Sequence, residues 1–301
     1  MTKNLAIGID LGGTHIKYAL VNARGEVWQE SRRATQVSLG REQVLADLAE
    51  CILELMKKPP DGYSVSCIGI GSPGLIDIER GYVMGGSPNL PEWEDLPLAS
   101  ILSDQAGLPV FVDNDANMMG LGEFSFGGNG GKNMLFLTIG TGIGGAIIID
   151  GQLYRGHRYA GSELGCIPFY YQGQKGYWED VASTAALVKK YVSLKGDSSR
   201  YDGRHIIQQY KNREKEAIQA VEEHIELVGE GIGGLINIFN PETVIVGGGI
   251  SESGPFYIEG ITRAAASCAM ADCMEGVTIS AARLGNKAGF MGAAGFALTR
   301  L

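Results

Sequence analysis

Two short segments of the 301-residue sequence combine glycines with a threonine directly after an apolar stretch. Glycines have no Cβ, so nearby backbone N–H groups can face an anion, and a threonine adds a hydroxyl donor. The residues concerned are Asp10, Gly12, Gly13 and Thr14 in the first segment and Gly140, Thr141 and Gly142 in the second. Asp10 is an acceptor placed to hold a hydrated cation. Each segment alone also fits an ordinary strand–turn–strand, but the two together predict hairpin phosphate loops that grip one triphosphate across a cleft.

Two carboxylates follow the apolar stretch at 110–112, in the order Asp113-Asn114-Asp115. Asp115 lies at the expected start of a helix, where the helix dipole favours the ionised form. An ionised carboxylate there can orient and deprotonate a hydroxyl group. The same residue types also favour helix N-caps, so a purely structural capping cluster is the alternative.

Three other sites have residue types suited to a ligand. Gly247, Gly248 and Gly249 follow an apolar strand, where a flat adenine or ribose could lie on the backbone, although a tight strand–helix turn is the alternative. Glu163 lies among small residues, and Glu179 follows Trp178. Either carboxylate suits a sugar hydroxyl, whereas a solvated glutamate is the simpler interpretation.

The elements that must position these residues alternate between strand and helix. In the first half we predict strands at 5–9, 16–22, 26–33, 65–70 and 110–112, with helices at 41–58 and 96–105. In the second half we predict strands at 133–139, 144–149, 152–154 and 243–246, helices at 178–194, 215–239 and 287–298, and an irregular aromatic segment at 167–176. This pattern indicates an α/β fold. Because each half begins with a strand, a glycine-rich turn and a strand, it also suggests an internal duplication.

The composition narrows the class of protein. With 45% apolar and 20% charged residues the chain is globular, and its formal net charge of −9 argues against a general nucleic-acid binder. No stretch has the roughly 20 apolar residues that a membrane span needs. The N-terminus lacks the apolar core of a signal peptide, and the five cysteines are scattered, so we expect reduced thiols and a cytoplasmic protein.

The ordered set of motifs resembles the ROK family (repressor, open reading frame, kinase) of the actin/hexokinase-like ATPase superfamily. The motifs are Asp-x-Gly-Gly-Thr, Gly-Ser-Pro-Gly-Leu-Ile-Asp, Asn-Asp-Ala-Asn, Gly-Thr-Gly-Ile-Gly-Gly and Glu-Leu-Gly. The resemblance implies two actin/hexokinase-like (ribonuclease H-like) α/β domains that flank a nucleotide and sugar cleft. We expect one domain at 1–115, joined by a C-terminal helix at 287–301, and a larger one at 116–286. Because the chain begins at the first phosphate strand, it resembles the kinases and not the DNA-binding repressors.

The resemblance also implies a role for each matching residue. Asp115 corresponds to the catalytic base, Asp10 to the acceptor for the Mg²⁺ shell, and Gly74 lies in the segment that lines the sugar pocket. Sugar-hydroxyl ligands correspond to Asn114, Glu163 and Glu179, phosphate loops to Gly12, Gly13, Thr14, Gly140, Thr141 and Gly142, and the adenosine side to Gly247, Gly248 and Gly249. The implied reaction is ATP-dependent phosphorylation of a sugar hydroxyl, O6 of a hexose or hexose derivative. The implied assembly is a homodimer without nucleic-acid or membrane partners.

The sequence departs from the family where many members bind a structural zinc. Cys166 replaces the usual histidine, and residues 169–178 contain none of the three expected cysteines. Because a structural zinc needs four nitrogen or sulfur ligands, we expect no zinc site. This departure resembles the subset of the family that acts on β-glucosides, so a β-glucoside kinase is one alternative function. A sugar-responsive binding protein without turnover is the other.

Overall fold

A computed structural model describes residues 3–57, 59–87, 89–197 and 199–301 of the chain. It contains two compact units. Unit 1 comprises residues 1–129, 153–161 and 284–301, and unit 2 comprises residues 130–152 and 162–283. The boundary after residue 115 predicted from the sequence therefore moves to residue 129, because the helix that starts at Asp115 packs within unit 1.

The strands and helices are numbered along the chain. The first half contains β1 (Lys3–Leu11), β2 (His15–Val21), β3 (Val27–Ala34), α1 (Arg41–Met56), β4 (Tyr63–Ser72), β5 (Leu75–Asp77), β6 (Tyr82–Gly85), α2 (Leu98–Ala106), β7 (Val110–Asn114) and α3 (Asp115–Phe126). The second half contains β8 (Met134–Ile139), β9 (Ile143–Ile149), β10 (Gln152–Tyr154), β11 (Pro168–Tyr171), β12 (Gln174–Tyr177), α4 (Glu179–Ala182), α5 (Thr184–Lys195), α6 (Gly203–Lys211), α7 (Lys215–Phe239), β13 (Thr243–Gly247), α8 (Pro255–Cys268), α9 (Ala271–Met274), β14 (Thr278–Ala281) and α10 (Ala288–Leu298). No described helix is long and apolar enough to cross a membrane.

Unit 1 is built on a five-stranded sheet in the order β3-β2-β1-β4-β7. Strand β1 pairs antiparallel with β2 and parallel with β4, and β4 pairs parallel with β7. Successive side chains of a strand point to opposite faces. Accordingly, Leu5, Ile7 and Ile9 pack with α1 and α2, whereas Ala6 packs with α10.

Helix α10 lies very close to the sheet. An alanine Cβ at Gly8 would overlap the carbonyl oxygen of Phe290, and one at Gly69 would overlap the carbonyl oxygen of Ala293. Only glycine permits this approach of a helix backbone to two neighbouring strands. The small residues of α10 therefore serve packing within unit 1.

Unit 2 repeats the same strand order with later strands, β10-β9-β8-β13-β14. Strand β8 pairs antiparallel with β9 and parallel with β13, which pairs parallel with β14. Its core is formed largely by the sheet and the apolar face of α7, including Val221, Val228, Ile232 and Leu235. The shared order in both units is the arrangement that an internal duplication predicts.

Several elements differ from the sequence-based expectations. The segment predicted to be irregular at 167–176 forms the hairpin β11–β12, with Phe169 and Tyr171 against the core and Tyr170 71% exposed. The helix predicted at 178–194 is interrupted at Ser183, whose side chain accepts a hydrogen bond from Ala186 N at 3.1 Å and so caps α5. Helix α1 ends at Met56, whereas its predicted end, residue 58, lies outside the described residues.

Candidate active site

The first glycine-rich segment forms the turn between β1 and β2 in unit 1. Gly12 N donates to His15 O at 3.1 Å, and the Thr35 hydroxyl donates to Gly12 O at 2.7 Å. A further bond joins Thr35 N to Thr14 O at 2.9 Å. Gly13 and Thr14 at the tip are exposed, so their polar groups can meet a ligand. Sequence reasoning missed Thr35, which follows β3 and supports the turn although it lies 23 residues from Gly12 in the sequence.

Asp10 lies at the base of this turn and is almost completely buried. Lys17 Nζ lies 3.2 Å from its Oδ2. Burial raises the pKa of Asp10, and the charge of Lys17 opposes that rise. Mg²⁺ usually takes one or two protein carboxylates together with phosphate oxygens and water. A single carboxylate beside a turn predicted to bind phosphate has that donor chemistry, so Asp10 fits an outer ligand of Mg²⁺.

The predicted carboxylate segment spans the junction between β7 and α3. Asn114 caps α3, since its Oδ1 accepts a hydrogen bond from Asn117 N at 3.1 Å. The Asn114 Nδ2 donates to Gly74 O at 3.1 Å, so the structure brings these two predicted sugar-site residues together. Gly74 has φ +102, a conformation that favours glycine. Asp115 is the first residue of α3, and its Oδ1 accepts a hydrogen bond from Ala116 N at 2.9 Å.

Asp113 and Asp115 have different surroundings. Asp113 is buried and accepts hydrogen bonds from Arg155 Nε at 2.7 Å, Asn114 N at 2.7 Å and Asn117 Nδ2 at 3.1 Å. Asp115 is only partly buried and lies at the positive end of the α3 dipole. Asp113 is therefore committed to structure, whereas Asp115 is the half-buried carboxylate at the start of α3. Capping, the alternative interpretation, applies to Asn114.

The second glycine-rich segment is the turn between β8 and β9 in unit 2. Gly140 N donates to Gly142 O at 2.9 Å, which closes the turn. An added Cβ at Gly140 would meet no atom within 4 Å, so internal packing does not require glycine there. Open space above a glycine is what close approach of a phosphate to the backbone needs.

A cavity of about 660 Å³ in unit 2 joins this turn to the third glycine segment. Gly140, Thr141 and Gly249 line it together, and Gly247 pairs with Thr138 across adjacent strands. Gly248, with φ +88, makes the turn after β13, whereas a Cβ at Gly249 would meet nothing within 4 Å. The second glycine-rich turn and one residue of the predicted adenosine segment, Gly249, thus line one cavity with a volume in the range of small-molecule sites.

Sequence reasoning missed the third wall of this cavity, which is formed by α6 and the two residues before it. The lining side chains there include Tyr201, Arg204, Gln208 and Lys211. Their spacing along α6, with three of them at i, i+4 and i+7, places them on one helix face. The helix could have been predicted from the aspartate at 202, a residue type typical of helix N-caps. Its side chain caps α6 by accepting a hydrogen bond from His205 N at 2.8 Å.

Glu163 and Glu179 are close enough to interact in unit 2. Partial removal from water raises the pKa of Glu163, and the charge of Glu179 raises it further. Glu179 Oε2 accepts a hydrogen bond from Ile143 N at 3.0 Å, directly after the second phosphate turn. Cys166 is exposed, and desolvation followed by these two carboxylates raises its pKa, so the thiol stays protonated. Among the described residues no cluster of three or more His, Cys, Asp or Glu side chains could hold a metal ion.

Comparison with known proteins places the chain among sugar kinases and related regulators. The model of the ROK family matches residues 6–300. A glucokinase of Thermotoga maritima is 36% identical, with 100% of this chain and 99% of that protein covered. A xylose repressor of Caldicellulosiruptor bescii is 37% identical over 84% of this chain and 68% of the repressor.

A solved structure gives the same result for the fold. The ROK family glucokinase from Streptomyces griseus, in complex with glucose and AMPPNP, has a TM-score of 0.83 and 30% identity, with 98% of this chain and 99% of that chain covered. This likeness confirms the predicted two-sheet α/β fold of the actin/hexokinase-like ATPases. A family match over nearly the whole sequence, together with these relatives, shows that the chain belongs to the ROK family.

Proposed function

We propose that this ROK family member transfers the γ-phosphoryl group of ATP to O6 of a hexose or hexose derivative, with Asp115 as the base. The general part of this statement, an ATP-dependent sugar kinase, follows from the full-length similarity to the glucokinases. The observation that supports the specific part is the contrast between the two aspartates. Asp113 is buried in a network with Arg155, whereas Asp115 begins a helix next to Asn114, which is bonded to Gly74.

In the proposed reaction Asp115 orients the sugar hydroxyl and accepts its proton as the oxygen attacks the γ-phosphorus atom. The bond from that phosphorus to the β,γ-bridging oxygen breaks, and ADP leaves. Asn114 of unit 1, with Gly74 beside it, and Glu163 and Glu179 of unit 2 hold other hydroxyl groups. The two glycine turns bind the phosphates through backbone N–H groups, and Gly249 lies on the adenosine side. When bound with ATP, Mg²⁺ neutralises phosphate charge, and Asp10 would hold its hydration shell.

The test is a coupled assay of ADP release with a panel of sugars and Mg²⁺-ATP. The panel contains glucose, fructose, mannose, allose, an N-acetylated hexosamine and a β-glucoside. General-base catalysis contributes roughly 10²–10⁴-fold to the rate, so D115N should lower kcat by about that factor. The loss corresponds to an activation free energy that is higher by about 3–5 kcal/mol. The matched control is D104N, an exposed position on α2, which should leave kcat unchanged. A D115N variant with near wild-type kcat would show that Asp115 is not the base.

The same panel separates the two alternatives. Turnover of the β-glucoside in preference to every monosaccharide would identify a β-glucoside kinase. Sugar binding by calorimetry without ADP release from any sugar would identify a binding protein, a role compatible with the similarity to the xylose repressor.

We also propose that the protein is a cytoplasmic homodimer. The family resemblance supports the dimer, but the glycine- and alanine-rich α10 does not, because it is buried inside unit 1. Light scattering at micromolar concentration should give twice the chain mass of 32.0 kDa. A mass equal to that of one chain would contradict the proposal.

A further inference from the structure

Glu179 and Glu163 share a predicted role but differ in their contacts. Among the described residues no protein group donates a hydrogen bond to the Glu163 carboxylate, whereas Ile143 N donates to Glu179 Oε2 at 3.0 Å. An added Cβ would lie 2.5 Å from this oxygen at Gly142 and 2.9 Å from it at Gly165. The Glu179 carboxylate therefore occupies space that is free because Gly142 and Gly165 have no Cβ, and Gly142 belongs to the second phosphate turn.

The same segment also holds the other end of the turn. Gly140 O accepts hydrogen bonds from Thr184 N at 2.9 Å and from Ala185 N at 3.4 Å. The Thr184 hydroxyl donates to Ile139 O at 3.3 Å. Residues 179–185 thus contact the turn on both sides of the hydrogen bond from Gly140 N to Gly142 O that closes it. The segment is itself tied together, since Ser183 N donates to Glu179 O at 3.2 Å.

We propose that Glu179 is a positioning residue that fixes the second phosphate turn and makes nucleotide affinity depend on the bound acceptor. Its Oε2 is bonded to Ile143 N, while Oε1 accepts no hydrogen bond from the described residues and is left for a substrate hydroxyl. A hydroxyl bonded to Oε1 restricts the carboxylate further, and the turn that Oε2 holds becomes better ordered before ATP binds. Less ordering then remains for nucleotide binding, which raises affinity. The acceptor half of this inference rests on the proposed function.

The first arm of the experiment measures the Kd of AMPPNP with Mg²⁺ by calorimetry in the absence of sugar. The variant E179D keeps the charge but is one methylene too short to reach Ile143 N. The variant E179Q keeps the length, and its amide oxygen still accepts from that N–H. Loss of a hydrogen bond to a charged group predicts a Kd roughly 10–100-fold weaker for E179D and a Kd within about threefold of wild type for E179Q.

The matched comparison is E222D, the same shortening at an exposed glutamate of α7 that lies outside the proposed site. Its Kd for AMPPNP without sugar should equal that of wild type. If E179D also binds AMPPNP like wild type, Glu179 is only a sugar ligand and the proposal is overturned. Equal weakening in E179D and E179Q would overturn it too, because E179Q keeps the reach to Ile143 N, so loss of that reach could not explain the weakening. Circular dichroism melting confirms that each variant is folded.

The second arm repeats the titrations at saturating concentrations of the best sugar. Wild type and E222D should bind AMPPNP more tightly with sugar present, by roughly 5–150-fold, and E179D should lose most of this gain. Reciprocity requires the same factor for sugar affinity with and without AMPPNP. No gain in the wild type would overturn the coupling. If no sugar binds at all, the proposed function fails, whereas the first arm still decides whether Glu179 positions the turn.

Discussion

Substituting Gly8 by alanine tests how closely α10 is seated on the sheet of unit 1. The new Cβ would overlap the Phe290 carbonyl oxygen and lie 2.9 Å from its carbonyl carbon and 3.0 Å from Ala294 Cβ. Carbon atoms in contact are normally 3.5–4.0 Å apart, so the helix must withdraw by about 1 Å. The obstacle is helix backbone and cannot rotate away as a side chain would. Withdrawal would also loosen the contact of Gly69 with Ala293.

Overpacking of a core usually costs about 1–3 kcal/mol, and we expect G8A to lie at or above the upper end. The control is G234A on the exposed face of α7, where an added Cβ meets nothing within 4 Å. Alanine is favoured over glycine inside a helix by about 0.8–1.0 kcal/mol, so the same substitution should stabilise unit 2.

Urea denaturation measures both effects. Tryptophan fluorescence reports on each unit, because Trp93 is buried in unit 1 and Trp178 in unit 2. Opposite shifts of the midpoint, G8A to lower and G234A to higher urea, are the expected result. A free energy of unfolding for G8A within about 0.5 kcal/mol of wild type would refute the close seating of α10.

Three other predictions concern stability and metal content. Burial lowers the pKa of His224 from 6.5 to about 4, so the unfolded state binds more protons than the folded state between these pH values. The free energy of unfolding should therefore fall by about 3 kcal/mol as the pH drops from 6.5 to 4. In urea titrations at different pH values, H224Q should remove this pH dependence. D113A leaves the largely buried Arg155 without its carboxylate and should cost about 3–5 kcal/mol in urea unfolding, whereas E50A, which removes the exposed partner of Arg33, should cost under about 1 kcal/mol. Purified protein should contain well under one zinc per chain by metal analysis, and a chelator with excess Mg²⁺ should leave activity intact; stoichiometric zinc would reveal a site that the sequence does not show.

Local patterns predicted the long or strongly periodic elements. Helix α7 has the bounds expected from its apolar stripe, since its residues repeat with helical period over 25 positions. The hairpin β11–β12 was missed because its turn carries only the pair Gln172-Gly173, both with positive φ, between aromatic residues. A turn with positive φ at both central residues usually carries asparagine or aspartate before the glycine.

In the candidate site, too, residues with a local sequence pattern were predicted and residues without one were missed. The motifs indicated Asn114, Asp115 and the glycine turns, because the residues that give each motif its chemistry are adjacent in the sequence. The groups that hold them, such as Thr35 and Arg155, come from far along the chain and have no local signature. Only the folded chain shows that one aspartate of the pair is already bonded to an arginine.

The place of α10 in the chain has a consequence for biosynthesis. The sheet face that α10 covers is built from strands within the first 114 residues, but α10 is translated about 160 residues after the first part of unit 1 ends at residue 129. At a translation rate of 5–20 residues per second, that face stays uncovered for roughly 8–30 s during synthesis on the ribosome. Chains stopped before residue 288 therefore keep one side of this sheet open to chaperones and proteases. A chain that contains α10 buries this face, whereas a chain truncated before α10 leaves it exposed.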